Sequence, residues 1–176
     1  RTFANFEYNS SATISVSGSA AVAMNNLTVS LGTLNIGMTG TPGHSIKGDI
    51  TIAGGATLNF NAATAGTMNF NGTTTQTISG AGTIAITATT QTIAIPANAI
   101  VSLQKNMSTT GTITISGGIL NVVGENIISG SGTFSMSVGV SAQLGIGSAN
   151  GITTAGNASG NIQTTTRTYQ SDAYYS

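Results

Sequence analysis

Charge is what this sequence most lacks. Lys and Arg together number 4, Asp and Glu number 4, and the formal net charge is zero. Charged residues make up 5% of the chain, against about 25% in an ordinary soluble domain. A chain with so few cations releases few counterions from a phosphate backbone, which excludes nucleic acid as a partner. It has no pull toward an anionic lipid surface either. Cysteine is absent, so neither disulfides nor thiolate metal sites hold the chain together. Tryptophan is absent and aromatics are 5%, too few for the two aromatic girdles of a membrane β-barrel. No apolar run approaches the ~20 residues of a spanning helix, so no membrane insertion is expected.

The shortage of charge also bears on catalysis. The carboxylates are Glu7, Asp49, Glu125 and Asp172, spread over the whole length. Cleavage of a glycosidic bond needs two carboxyl groups facing each other. Residues this far apart on a stacked fold do not supply them. The densest polar cluster is His44, Lys47 and Asp49. One histidine with one carboxylate is too few for an acid–base pair or a metal site. Lys47 and Asp49, two apart on an apparent strand, read as a solvated pair on one outer face. No enzyme activity and no cofactor are expected.

What the chain does have is glycine, 24 residues of it, with abundant Ser and Thr, all weak helix formers. Between the glycines runs alternation of period two: "ATISVSG" (12–18), "NLTVS" (26–30), "GTLNIG" (32–37), "GDITIAG" (48–54) and "ATLNFN" (56–61). "GTMNFNG" (66–72), "GTIAIT" (82–87), "QTIAIP" (91–96), "GTITISG" (111–117), "ILNVVG" (119–124) and "TFSMSVG" (133–139) continue it. Such alternation predicts short half-buried strands. The inward set is Leu34/Ile36, Ile50/Ile52, Leu58/Phe60, Met68/Phe70, Ile84/Ile86, Ile93/Ile95, Ile113/Ile115, Leu120/Val122, Phe134/Met136 and Leu144/Ile146. Pro96 ends its strand, and "GMTGTPGHSIKGD" (37–49) reads as a surface loop or long corner.

"GTLNIG" and "ATLNFN" are near copies, and "GILNVVG" (118–124) echoes both. A coil of about 20–25 residues, stacked on the next so that Ile, Leu and Val rows bury one another, generates this pattern. The expected fold is an all-β parallel β-helix, or β-solenoid. The alternative is an antiparallel β-sandwich, which wants Asn-Gly or Asp-Gly hairpin turns. The only Asn-Gly steps are at 71–72 and 150–151.

Outward Asn recurs at Asn35, Asn59, Asn61, Asn69, Asn71 and Asn121, where it is expected to form stacked amide ladders. Thr-x-Thr steps are frequent but fall at no one phase of the assumed coil. "TTTQT" (73–77) places Thr73, Thr75 and Thr77 as a candidate surface-binding face for carbohydrate or ice.

The two ends of the chain are alike. "RTFANFEYNSSA" (1–12) opens it and "RTYQSDAYYS" (167–176) closes it. Ala173 and Tyr175 align with Ala4 and Phe6 once two residues are skipped. The reading is that 1–176 is one solenoid repeat unit of a longer tandem array, with the seam near 1–10 and 167–176. Arg1, Phe3, Arg167 and Tyr169 are the expected seam contacts.

"NNLTVSLGTLNIG", "GDITIAGGATLNFN", "TMNFNGTTTQTISGAGTI" and "NVVGENIISGSGTFSM" resemble the β-strand-repeat regions of giant secreted surface proteins of gliding Bacteroidota-type bacteria, exported by the type IX secretion system. The resemblance implies a right-handed parallel β-helix in tandem copies. It further implies an extracellular, cell-surface location and a role as an adhesin shaft or filament. The partners it implies are the chain's own copies, in homomeric bundles, and cell-surface glycans.

Overall fold

A computed structural model describes residues 1–137, 141–170 and 174–175, with the backbone alone at Thr41, Pro42, Tyr174 and Tyr175. The described residues contain strands and no helix. Among the described residues every ladder between strands is parallel, and the one antiparallel contact is an isolated bridge from Pro96 to Gly117. The fold is a β-solenoid, and the antiparallel sandwich is excluded.

Three faces form the coil. The first stacks β4 (Ile50–Ile52), β7 (Gln76–Ser79), β10 (Ile100–Leu103), β13 (Ile119–Val122), β15 (Gln143–Ile146) and β17 (Tyr174–Tyr175). The second stacks β5 (Thr57–Phe60), β8 (Thr83–Ile86), β11 (Met107–Thr109) and the first halves of β14 (Ile128–Met136) and β16 (Ile162–Thr168). The third stacks β3 (Gly40–Ile46), β6 (Gly66–Phe70), β9 (Gln91–Pro96), β12 (Thr112–Ser116) and the second halves of β14 and β16. The two long strands β1 (Thr2–Gly18) and β2 (Ala23–Met38) bend across the faces at the start. Their bend needs Gly32, at φ +70°, where a Cβ would stand 2.1 Å from the Ser10 carbonyl oxygen.

Coil length varies more than the expected 20–25 residues. On the first face Leu27 pairs with Ile50, Ile50 with Ile78, Ile78 with Leu103, Leu103 with Val122 and Val122 with Ile146. Those steps run from 19 to 28 residues. On the second face Ile128 pairs with Ile162, a longer step that contains the loop 147–161. Strand lengths hold nearly constant because each strand must match its neighbour. The corners and one loop absorb the difference.

The core lies where the alternation places it. Every residue of the expected inward set is at most 3% exposed, except Ile146, which is half-buried against the same core. Each buried CH₂ contributes about 0.8 kcal/mol. Phe60 and Phe70 meet edge to face at 6.0 Å where the second and third faces converge.

Buried amides hold the corners. Gln76 Oε1 accepts from the Gly72 N–H at 2.8 Å, while its Nε2 donates to the carbonyls of Ile46 and Gly48. Gln91 Oε1 accepts from the Ala62 N–H, and its Nε2 donates to Gly66 and Thr92. Asn161 does the same for Ser148, Gly124 and Asn126. A corner interrupts the ladder, and these side chains satisfy the backbone groups it leaves.

Three local readings are corrected. Residues 40–46 are strand β3 rather than loop, and the corner is confined to Lys47–Asp49. Lys47 and Asp49 therefore sit on that corner, not on a strand. The Asn ladder is partial. Asn59 Nδ2 donates to Asn35 Oδ1 at 3.0 Å, while Asn69 turns to the His44 carbonyl.

Candidate functional site

The third face carries a regularity that the unequal corners hide from the sequence. Thr67 pairs with Thr92, Thr92 with Thr112, Thr112 with Thr133 and Thr133 with Thr166. Five threonines thus stand in one outward rank on successive coils. Two residues further along each strand runs a second rank of Asn69, Ala94, Thr114, Ser135 and Thr168. Against the expectation that Thr steps share no phase of the coil, Thr92, Thr112 and Thr166 from three of those steps fall on this one rank, while "TTTQT" (73–77) lies off it. A constant sequence period does not find the rank because coil length changes at each step. A usable signal was the local one, Gly followed by Thr at the start of a strand: Gly66-Thr67, Gly111-Thr112 and Gly132-Thr133. A shorter rank, Thr13, Thr33, Thr57 and Thr83, stands on the second face.

Threonine hydroxyls elsewhere serve the fold. Thr90 Oγ1 donates to the Ala62 carbonyl at 2.5 Å, Thr110 Oγ1 to Ile86 and Thr164 Oγ1 to Thr166. Among the described residues the five hydroxyls of the third-face rank have no protein partner. Thr67, Thr92, Thr112 and Thr133 are half-buried on this outer face, and Thr166 is exposed.

Thr73, Thr75 and Thr77 do not form a rank together. Thr73 and Thr75 lie on the corner before β7, and Thr77 lies on the strand. Thr77 pairs with Ser102, which pairs with Asn121, so its column is mixed. Thr73 and Thr75 instead border a polar groove of about 260 Å³ with Asn26, Lys47 and Asp49. Asp49 Oδ1 accepts from the Thr77 N–H at 2.7 Å, and Asn26 Oδ1 accepts from the Asp49 N–H at 2.8 Å. His44 is parted from this cluster. It points into the core, fully buried, with Nε2 2.9 Å from the Thr39 carbonyl oxygen.

The two ends of the chain meet the same face in the same phase. Thr2 pairs with Ala23, and the series runs on through Ser45, Asn69, Ala94, Thr114 and Ser135 to Thr168. Arg1-Thr2-Phe3 and Arg167-Thr168-Tyr169 therefore occupy equivalent places at opposite ends of the solenoid, not in contact with each other. At the first end, Phe3 and Phe6 border a mouth of about 360 Å³ that opens onto Met24, Leu34 and Ile36. At the other end, Arg167 donates through Nη1 to Thr153 and Thr154, through Nη2 to Asn157 and through Nε to Thr164. Tyr169 packs its ring 6.0 Å from that of Phe134. Ala173 lies outside the described residues.

The described carboxylates tie one coil to the next. Glu7 accepts from the Ser30 hydroxyl at 2.6 Å, Glu125 from the Ser148 hydroxyl at 2.9 Å, and Asp49 from Thr77. Asp172 lies outside the described residues. Lys105 is buried, and its Nζ donates to the carbonyls of Gly80 and Gly82. Loss of hydration in that setting lowers its pKa from the ordinary lysine value. Among the described residues no three His, Asp or Glu side chains gather as a metal site would require. No protein-family model, curated protein or solved structure matches the chain.

Proposed function

We propose that this chain is a structural unit of an extracellular rod, repeated in tandem and used in cell-surface adhesion. The observation that carries the reading is the register series from Thr2 to Thr168. The chain advances by whole coils between its two Arg-Thr-aromatic steps. A second copy beginning at Arg167 would continue the third face without a change of phase. The last coil of the first copy would then cover, in the second, the apolar mouth that Phe3 and Phe6 border. Arg167 supplies the stitch at such a seam, since it already ties the last coil to the loop at 153–157. In an array Arg1 would take the corresponding loop of the copy before it.

The chemistry suits a shaft. Each coil adds about 4.8 Å of length with its backbone hydrogen bonds made. The neutral, hydroxyl-rich exterior lets rods pack side by side without charge repulsion, which favours homomeric bundles. The cell-surface setting, the secretion route and the glycan partners follow the resemblance to secreted β-strand-repeat proteins.

The test is a two-copy chain, residues 1–166 followed directly by 1–176, measured by small-angle scattering. The expected result is a particle of unchanged cross-section and nearly twice the length. Two compact bodies joined by a flexible link would overturn the tandem-rod reading.

A further inference from the structure

The third face has the properties of a surface built for a periodic ligand. Its five-threonine rank covers four rung spacings, about 19 Å at ~4.8 Å per rung. Along each strand, the second rank lies about 6.8 Å from the first, two residues at ~3.4 Å each. Both positions bear hydroxyls on three successive coils: Thr112 with Thr114, Thr133 with Ser135, and Thr166 with Thr168. None of these outward positions carries a charge. Threonine is stiff at χ1, so each rank is set in position before any ligand arrives. The rank hydroxyls are not consumed by the protein, unlike those of Thr90, Thr110 and Thr164.

We propose that the third face is an ice-binding surface, with Thr67, Thr92, Thr112, Thr133 and Thr166 as its principal rank. Each oxygen of ice both donates and accepts hydrogen bonds, as does each threonine hydroxyl. The two spacings of the face are close to oxygen repeats in the hexagonal lattice. The threonine methyls, spaced with the same period, limit competing hydration between the hydroxyls. A soluble sugar is a poorer match. It calls for a concave pocket with a few convergent polar groups, whereas this face is an open sheet with no aromatic among its outward residues. The proposal does not depend on the rod reading, since a single copy presents the whole rank.

The experiment measures thermal hysteresis and ice recrystallisation with the 1–176 chain. Wild type is expected to hold ice growth below the melting point and to keep crystals small. The Thr112→Lys/Thr133→Lys double variant is expected to lose at least about tenfold of that effect. The Thr33→Lys/Thr57→Lys variant, on the second face, is expected to keep it. Circular-dichroism melts check that both variants fold. Wild type behaving like serum albumin at equal concentration would overturn the proposal. Equal loss in both folded variants, or retention in the first, would overturn the assignment to this face. Binding to microcrystalline cellulose or chitin through the same threonines, with ice growth unaffected, would make the ligand a glycan and overturn it too.

Discussion

Arg167 stands one coil beyond Phe134 at the same inward position, so a column that runs Met68, Ile93, Ile113 and Phe134 ends on a guanidinium. An apolar column cannot end in water without cost, and here it ends in a cation that gathers backbone carbonyls around itself. Arg167→Met keeps the stem and removes the donors. The expected cost is about 1.5–3 kcal/mol, the range for hydrogen bonds to a charged group. Amide exchange should quicken from Thr153 to Asn157 and stay slow in β6 and β9. Unchanged exchange in the loop would mean that Arg167 does not hold it.

The corner amides offer a sharper contrast. Gln76→Leu leaves the Gly72 N–H and the carbonyls of Ile46 and Gly48 without their partner. Roughly 2–4 kcal/mol should be lost, since buried groups left unpaired cost about 1–3 kcal/mol each and some relaxation follows. Gln163 is half-buried and donates once, to Gly160. Gln163→Leu should cost under about 1 kcal/mol. Urea midpoints of the two variants would decide the matter, and equal losses would count against the bracket role.

Backbone clearance between coils gives a third expectation. A Cβ on Gly132 would lie 2.2 Å from the Gly111 carbonyl oxygen on the coil before it. Gly132→Ala should therefore push β14 away from β12, at about 1–3 kcal/mol. Because each coil touches only its neighbours, the change should be felt in residues 107–137 and in β16, which pairs with β14, and not at β4 or β5. Chemical-shift changes spread over the whole chain would contradict that locality.

The sequence made the core readable because alternation depends only on neighbours two residues apart. Ile50, Leu58, Phe60 and Ile113 are buried as their spacing requires. The strands β10 and β11 were harder to see. "IVSL" and "MST" are too short to show a period and are strands because the coils on both sides pair with them. The third-face rank was illegible for a related reason. Its members are separated by 25, 20, 21 and 33 residues, as the pairs Thr67–Thr92–Thr112–Thr133–Thr166 give. Only the ladder reveals that unequal steps land on one line. His44 and Asp49 seemed neighbours by number, yet strand parity sent one into the core and a corner put the other in solvent.

Lys105 provides a test by pH. Its ammonium is buried against the Gly80 and Gly82 carbonyls, and burial sets its pKa in the folded chain below the ordinary 10.5. The unfolded chain then binds this proton more tightly than the folded one, so protonation favours unfolding. Below the folded-state pKa the penalty is present in full. As pH rises from that value toward 10.5 the penalty is relieved, and stability should increase. Lys105→Met has no proton to lose. The difference in urea midpoint, wild type minus Lys105→Met, should therefore climb across the alkaline window below 10.5. Taking the difference cancels the tyrosines, which titrate in both proteins. A flat difference would mean that the carbonyls fully replace the lost hydration. A falling one would mean that they favour the ammonium more than water does, and that Lys105 strengthens this corner when charged.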